Sequence, residues 1–158
     1  MPDPAASAPL CVLALGGNLG DSAAFFRRAV ESLQSGGFRV RKVSTFMRTE
    51  PEGMAPGTPA FLNGAVSGLW DGTPGELLRL CQKIEAESGR PADHEHYVSR
   101  TLDLDIILFG RQIIREPGLT IPHPLALRRA FVMTPLREIE PEMADWLEKE
   151  YHSVSIGK

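Results

Sequence analysis

The chain contains 158 residues, a length that predicts one domain able to bury about two thirds of its unfolded surface. Its 17 Lys and Arg against 20 Asp and Glu give a net charge of -3, which argues against a nucleic-acid partner held mainly through phosphates. No apolar run reaches the roughly 18 residues of a membrane span, and residues 1–9 lack the basic and apolar parts of a secretion signal. We therefore expect a cytoplasmic protein without membrane partners, with a disordered segment at 1–9 and a single domain at 10–143.

The first elements are predicted to be a strand, a helix and a strand. Residues 10–15 form an apolar run of strand length, which we expect to end in a glycine-rich turn at 16–20. A helix follows and ends at Gly36 and Gly37; one of its faces carries Phe26, Ala29, Val30 and Leu33. Residues 38–41 alternate as a half-buried strand does, and the phase shift at Lys42 and Val43 predicts a β-bulge.

The middle of the chain is predicted to be a loop, a strand and a helix. Prolines and glycines in 49–60 exclude a continuous helix or strand there, whereas 61–70 has strand character. Thr73 and Glu76 form a T-x-x-E capping box, with proline at the first helical position. The helix is expected to end at Gly89, and its apolar stripe consists of Leu77, Leu80, Cys81 and Ile84.

The last part begins with a second irregular loop at 90–99 and a strand at 101–109. We expect the turn at 110–112 to fold Ile113 and Ile114 back on that strand. A loop, a short helix and a further strand are predicted for 117–143, and 144–158 is a tail of uncertain structure. The order β-α-β-β-α-β predicts an α+β fold, a ferredoxin-like α/β sandwich with a mainly antiparallel sheet and its helices on one face.

Two aspartates are the first candidates for chemistry. In residues 102–106 the period of two places Asp103 and Asp105 on one face of a strand and the apolar residues on the other. Same-face neighbours lie roughly 6 to 7 Å apart, so two anions there repel each other unless a cation lies between them. Magnesium binds through one or two carboxylates together with substrate phosphates. The alternative, which the short D-x-D spacing leaves open, is a solvated strand face.

Two basic side chains near this pair could meet phosphates. Arg100 lies three residues before Asp103 at the end of the loop, where a guanidinium can contact metal-bridged phosphates. His123 lies between two prolines and is predicted at the start of a short helix, near backbone N–H groups that suit an anion. The alternatives are a solvated arginine and a histidine that only braces a turn.

These motifs together resemble the 6-hydroxymethyl-7,8-dihydropterin pyrophosphokinase family of folate biosynthesis. The resemblance extends from about Leu13 to Glu142. It rests on four blocks in order: Leu15-Gly16-Gly17-Asn18-Leu19-Gly20-Asp21; Arg48-Thr49-Glu50-Pro51 with Phe61-Leu62-Asn63; Ser99-Arg100-Thr101-Leu102-Asp103-Leu104-Asp105; and Pro122-His123-Pro124 with Arg129 and Phe131.

The resemblance implies an Mg-dependent enzyme that transfers the pyrophosphoryl group of ATP to the hydroxymethyl oxygen of the pterin and releases AMP. It implies that Asp103 and Asp105 hold two magnesium ions and that Arg100 acts with them in catalysis. The pterin-binding residues that it implies are Thr49, Phe61, Asn63, Tyr97 and Phe131. The ATP-binding residues that it implies are Leu78, Gln82, Glu85, Arg100, Ile106, Thr120, His123 and Arg129.

The chain departs from the family pattern at several charged positions. Basic residues and a tryptophan of the second loop are replaced by Ala92, Asp93, His96 and Tyr97, and Val98 stands where glycine or alanine is usual. Gly118 occupies a position where some members carry a phosphate-binding arginine. Each lost charge-assisted contact is worth about 1.5 to 3 kcal/mol, so a slower enzyme is expected unless another arginine compensates. The candidates are Arg90, Arg111, Arg115 and Arg128.

Two other functions fit parts of the sequence. A D-x-D pair also occurs in metal-dependent nucleotidyl or glycosyl transferases, although these usually need a larger nucleotide-binding domain. A catalytically weakened pterin- or nucleotide-binding module of the same fold would explain the missing loop charges. The sequence does not fix the oligomeric state, and a monomer is favoured.

Overall fold

A computed structural model describes residues 8–17, 22–49, 61–89 and 102–151. The strands are β1 (Leu10–Gly17), β2 (Arg39–Val43), β3 (Met47–Thr49), β4 (Phe61–Leu69), β5 (Leu102–Phe109), β6 (Ile114–Glu116) and β7 (Leu119–Ile121). The helices are α1 (Ser22–Ser35), α2 (Pro74–Gly89), α3 (Ala130–Ile139) and α4 (Pro141–Trp146), with a short 3₁₀ helix at Ala126–Arg128 and a π-helical segment at Leu147–Tyr151. None of the helices in these ranges is long and apolar enough to cross a membrane.

The main sheet is antiparallel and has the strand order β2-β4-β1-β5. β3 pairs with the start of β4, next to the segment that pairs with β2, so β2 and β3 act as one interrupted edge strand. The register of β2 shifts between Val40 and Lys42, which confirms the predicted bulge. With α1 and α2 as the two crossovers, this arrangement confirms the predicted ferredoxin-like α+β fold.

Helices cover both faces of the sheet. Because side chains alternate along a strand, Leu13 and Leu15 of β1 join the core under α1 and α2, while Val12 joins a second core under α3 and α4. The expectation that the helices share one face is therefore correct for α1 and α2 and wrong for α3 and α4. The segment predicted as a tail from residue 144 contributes Ala144, Trp146 and Leu147 to the second core.

The hairpin predicted at 110–112 is wrong. Ile114 pairs with Ile121 in a separate two-stranded sheet, not with the strand that precedes it. Pro117-Gly118 forms the turn of this hairpin, and Gly118 has φ 79, the left-handed conformation that a Pro-Gly turn places at glycine. The free edge of β5 meets the segment after this hairpin, because the His123 N–H donates to the Ile107 carbonyl over 3.1 Å.

The further strand predicted before residue 143 is also wrong. The short helix exists as the 3₁₀ turn, but α3 and α4 follow it. Val132, Leu136 and Ile139 are buried at spacings of three and four, which is a helical period. Pro135 lies inside α3 without ending it, so burial of this apolar face outweighs the loss of one backbone donor.

The predicted capping box at the start of α2 is present. The Thr73 N–H donates to Glu76 Oε1 over 2.8 Å, and the Glu76 N–H donates to Thr73 Oγ1 over 3.1 Å. Two backbone donors at the helix start are thereby satisfied by side chains. The cap holds the start of the helix that later brings Leu78 and Glu85 to the site.

Thr73→Ala should lower the free energy of unfolding by about 1 kcal/mol, because it removes the hydroxyl that accepts from Glu76. Thr73→Ser keeps that hydroxyl and serves as the control, with a midpoint close to that of the parent chain. Urea denaturation followed by circular dichroism measures both. Equal stability of the alanine and serine variants would show that the cap contributes nothing.

Candidate active site

The two aspartates lie on β5 where the strand pattern places them. Asp103 and Asp105 are exposed and alternate with the buried Leu102, Leu104 and Ile106. The predicted alternation of this strand is therefore confirmed. The two carboxylates leave the same face of the sheet, on the side opposite α1 and α2.

A glycine on the central strand lies between this pair and a buried amide. Gly16 of β1 is opposite Asn63 of β4 on one side and opposite Asp103 of β5 on the other. Directly opposed residues share a face, so the three positions form one row across the sheet. A Cβ on Gly16 would lie 3.3 Å from Asn63 Oδ1, closer than most side chains tolerate. The absence of a side chain keeps the space between the amide and the carboxylate open.

This row corrects one prediction. The glycine-rich turn was expected to begin at residue 16, but β1 continues through Gly17. Glycine inside a strand marks a close approach of another group, and here that group is the Asn63 side chain. The next row has Ala14 between Ala65 and Asp105, so small residues form the floor beside both carboxylates.

The electrostatics of the pair follow from its surroundings. The second core extends along β1 as far as Ala14, next to Asp105, so the carboxylates lie at the border of an apolar region. Partial burial, and after it the negative charge of Asp105, raise the pKa of the Asp103 carboxyl above its ordinary value. A cation at this position would relieve both effects.

A cleft of about 280 Å³ adjoins the pair. Asp105 lines it, so the acidic pair and the cleft form one site. Its walls also include four of the residues that the family resemblance implies for ATP binding: Leu78, Ile106, Thr120 and His123. These residues come from α2, β5, β7 and the segment after β7, so the tertiary fold brings them together.

His123 has a defined hydrogen-bonding state in this cleft. Its Nδ1 accepts from the Leu125 N–H over 3.2 Å, which leaves the hydrogen on Nε2. Burial lowers the pKa of His123; the Asp105 charge opposes this effect and the Arg129 charge adds to it. The predicted place at a helix start is wrong, because the 3₁₀ helix begins at Ala126 and the Leu125 N–H is bonded to the imidazole. His123 braces this turn and lines the cleft as well.

The other residues assigned to the nucleotide have different surroundings. Glu85 Oε2 accepts the Leu104 N–H over 2.8 Å and so ties α2 to β5. Gln82 is exposed on α2 and does not line the cleft. Arg129 precedes α3, and its guanidinium lies 5.5 Å from the centre of the Phe131 ring.

The residues assigned to the pterin cluster on β3 and β4. Thr49 is paired with Phe61, and Asn63 Nδ2 donates to Thr49 Oγ1 over 3.2 Å. Asn63 is one of the few buried polar residues, with an exposed fraction of 7%. Phe61 and Phe131 are half-buried. Arg100 and Tyr97 lie outside the described residues, as do the loops at 50–60 and 90–99.

Within the described ranges, no group of three or more His, Cys, Asp or Glu side chains is arranged to hold a metal ion. A metal site here would therefore depend on two carboxylates completed by a ligand. Magnesium accepts such a set, since it commonly combines one or two carboxylates with phosphate oxygens. The exposure of Asp103 and Asp105 on one face fits this requirement.

Fold and site together define a ferredoxin-like α+β protein with a carboxylate pair beside a ligand-sized cleft. The model of the family described as 7,8-dihydro-6-hydroxymethylpterin-pyrophosphokinase matches residues 12–141. The chain belongs to this family. The match covers the main sheet, both crossover helices, the small hairpin and α3.

Named relatives agree with the family match. The chain is 42% identical over 131 residues to the 2-amino-4-hydroxy-6-hydroxymethyldihydropteridine pyrophosphokinase of Bacillus subtilis, covering 82% of this chain and 77% of that protein. It is 38% identical over 132 residues to the protein of the same name from Methylorubrum extorquens, covering 83% and 82%. A folate synthesis bifunctional protein of Arabidopsis thaliana is 36% identical over 148 residues, which are 92% of this chain and 30% of that protein.

Asp103→Asn should raise the melting temperature of the ligand-free protein at neutral pH. The raised pKa means that folding disfavours the charged form, so the stabilising effect of a neutral Asp103 is complete at acid pH and is lost as the pH rises through the folded-state pKa. Asparagine stays neutral, so its advantage should disappear at a pH below the ordinary aspartate range. Scanning calorimetry at both pH values measures this difference.

Glu116→Gln removes an exposed carboxylate from β6 and is the matched control, with no expected gain at either pH. An Asp103→Asn variant no more stable than the parent at neutral pH would contradict the electrostatic description of the pair.

Proposed function

We propose that this chain transfers the pyrophosphoryl group of ATP to the hydroxymethyl oxygen of 6-hydroxymethyl-7,8-dihydropterin, giving the pterin diphosphate and AMP. The family and the names of the relatives support pyrophosphoryl transfer to this pterin in folate synthesis. The observation that carries the proposal is the continuity of the acidic pair with the cleft through Asp105. One site can thus hold a metal-bound polyphosphate beside an acceptor.

The proposal assigns Asp103 and Asp105 to magnesium, with two ions when ATP is bound. Magnesium held by these two side chains would supply charge neutralisation at the reacting phosphates. Through that cation the two carboxylates would hold the polyphosphate at the border of the second core, where Asp103 shares a row of the sheet with the buried amide of Asn63 and Asp105 lies in the next row. Arg100 is assigned a contact with the same phosphates.

ATP is assigned to the cleft. Leu78 and Ile106 provide apolar surface for a base, whereas Thr120 and His123 provide hydrogen-bond donors. The His123 Nε2–H suits a phosphate oxygen without adding a charge. From the family resemblance we also assign Gln82, Glu85 and Arg129 to ATP. Glu85 would contribute indirectly, because its carboxylate accepts the Leu104 N–H and so fixes the backbone of β5.

The pterin is assigned to the space between the β3–β4 edge and the start of α3. A flat heterocycle stacks favourably between the rings of Phe61 and Phe131. Asn63 and Thr49 can form hydrogen bonds with the polar edge of the pterin. The Asn63 Nδ2 donates to Thr49, which leaves the Asn63 amide oxygen as an acceptor for the pterin. Tyr97 is assigned to the pterin from the family resemblance.

Catalysis in this proposal comes mainly from positioning and charge neutralisation. Among the described residues at the site, the only neutral base is His123, and its free nitrogen carries hydrogen. Holding the hydroxymethyl oxygen in line with the phosphorus converts a bimolecular reaction into an effectively unimolecular one. The row Asn63–Gly16–Asp103 sets the separation between acceptor and phosphates.

A pterin- and nucleotide-binding module with weakened catalysis is the second candidate. The observation in its favour is that no lysine or arginine is among the described residues that line the cleft. Calorimetry distinguishes the two functions. If the chain is the kinase, a non-hydrolysable ATP analogue with magnesium should raise its affinity for the pterin. If it is the binding module, the pterin affinity should be the same with and without the analogue.

Of the arginines that could compensate for the lack of a cation among the described cleft residues, we favour Arg115. Arg115 of β6 is directly opposite Thr120 of β7, so both side chains leave the same face of the hairpin. Thr120 lines the cleft and Arg115 is exposed beside it. Gly118, where the family resemblance implies a phosphate-binding arginine in some members, adds no side chain to the hairpin turn. Arg111, in contrast, follows the far end of β5, next to Gly110, which bonds to Leu10.

Asp103→Ala and Asp105→Ala should each lower magnesium-dependent AMP formation by about 1000-fold, since each removes a metal ligand that acts on transition-state charge. Circular dichroism and melting curves should show an intact fold. Turnover at the parental rate in either variant would refute the assignment of the pair.

Arg115→Ala should raise the KM for ATP about tenfold or more, in line with the loss of one charge-assisted contact, and should leave the KM for pterin unchanged. Arg111→Ala removes the same charge from the far end of β5 and should change neither value. Steady-state kinetics with each substrate varied in turn measures both. Equal effects of the two variants would show that Arg115 acts only through net charge.

A further inference from the structure

Two carboxylates at the end of α3 bind the sheet at different points. Glu138 accepts from Thr45 twice, from the backbone N–H at 2.9 Å and from Oγ1 at 2.7 Å. Glu140, just after the helix, accepts from Ser67 Oγ at 2.7 Å. Thr45 lies in the bend between β2 and β3, and Ser67 lies on β4.

The Glu140 contact is buried. Ser67 is fully buried and Glu140 has an exposed fraction of 6%. The half-exposed Arg41 adds an ion pair, with Nε at 3.7 Å from Glu140 Oε2. A buried carboxylate is strongly destabilising when its partners are removed, so the helix end has little freedom to shift along β4. Glu140 is the C-cap of α3: its N–H donates the last helical bond, to the Leu136 carbonyl, and its own backbone, with φ -137 and ψ 71, is no longer helical.

The Glu138 contact is exposed but geometrically specific. A carboxylate near a helix C-terminus is unfavourable with respect to the helix dipole, so this position suits a residue that binds another element. Thr45 follows Ser44, whose N–H donates to the Ala65 carbonyl and whose Oγ accepts the Ala65 N–H over 2.8 Å. Glu138 is thus tied at the level of Ala65, and Glu140 two residues further along β4.

These two contacts fix both the direction and the register of α3. From Glu138 to Glu140 the contact point moves along β4 from Ala65 to Ser67, so α3 and β4 run in the same direction. Phe131 lies nine residues before Glu140, a helical rise of about 13.5 Å. Asn63 lies four residues before Ser67, a strand length of about 13 Å. These two distances agree, and counting from Glu138 instead puts Phe131 about one residue earlier on β4, so Phe131 lies at the level of the Phe61–Asn63 end of that strand.

We propose that Glu138 and Glu140 are positioning residues that hold α3 in register on β4 and thereby set the gap between Phe131 and the Phe61–Asn63 edge. This inference rests on the proposed function, in which that gap holds the pterin. Neither carboxylate touches the substrate in this account. A shift of α3 along β4 would misplace one ring of the stacking pair and leave the carboxylate pair on β5 unchanged.

The test uses Thr45→Val, Glu138→Ala, their combination, and Ser67→Ala in the full chain. Each variant should raise the KM for pterin about tenfold, because misplacement of a positioning group by about 1 Å is costly, while the KM for ATP stays within about twofold of the parent. Glu138→Ala removes both bonds, whereas Thr45→Val keeps the one from the backbone N–H, so the combination should be no worse than Glu138→Ala alone. Glu138→Gln keeps one acceptor oxygen and should rescue part of the effect.

Arg137→Ala is the matched control on the same helix. Arg137 bonds to Asp145 at 2.9 Å and to Glu148 at 2.7 Å, within the α3–α4 region and not to the sheet. Its loss should leave both KM values unchanged. A merely structural role of Glu138 would lower the active fraction, and therefore kcat, without separating pterin from ATP.

Amide hydrogen exchange of residues 130–139 gives a second measurement that does not depend on the reaction. Thr45→Val and Ser67→Ala should increase exchange in α3 relative to Arg137→Ala. An unchanged KM for pterin, an equal rise for both substrates, or unchanged exchange would overturn the positioning role. A parent protein that forms no AMP would instead refute the proposed function, and the exchange result would still test the register.

Discussion

The pairing of β1 with β4 on one side and β5 on the other is the constraint on which the site depends. This register places Gly16 between Asn63 and Asp103, and Ala14 between Ala65 and Asp105. A shift of one residue in the β1–β5 ladder would move the carboxylates to the apolar face under α1 and α2, where burial of a charge is costly. The apolar residues that alternate with the aspartates therefore specify the position of the acidic pair.

The second core divides this face of the sheet into a part that is buried and a part that a ligand can reach. α3 and α4 bury the part of the sheet that contains Val12 and Ala65, and the rows with Gly16 and Asp103 lie beyond it. The aspartates are therefore close enough to apolar atoms for the pKa of Asp103 to rise, yet exposed enough to bind a ligand. The same helix that closes this core carries Phe131 near its start, so packing and substrate positioning depend on one element.

Local patterns in the sequence were sufficient for most of the fold. The capping box at Thr73, the bulge near Lys42 and the alternation around Asp103 are each encoded within a few residues. The predictions that failed depend on long-range partners. Ile114 pairs with Ile121 because a Pro-Gly turn competes with the turn at 110–112, and residues 130–139 are helical because a second core receives their apolar face.

Local sequence patterns were also insufficient to identify the site, because it depends on residues from neighbouring strands. A D-x-D spacing alone cannot distinguish a ligand site from a solvated strand, and the missing information is what lies opposite on the neighbouring strands. Glycines in an apolar strand were the available signal for the row at Gly16, since a strand interior accepts glycine where another group approaches. The Ser67–Glu140 contact had no sequence signal, because the two residues are far apart in the chain and neither belongs to a motif.

The most direct test of this account is product analysis of the intact protein with ATP, magnesium and 6-hydroxymethyl-7,8-dihydropterin. The account predicts AMP and the pterin diphosphate in equal amounts, with no AMP when the pterin is omitted. Formation of ADP with a pterin monophosphate, or the absence of any pterin-dependent nucleotide cleavage, would contradict it.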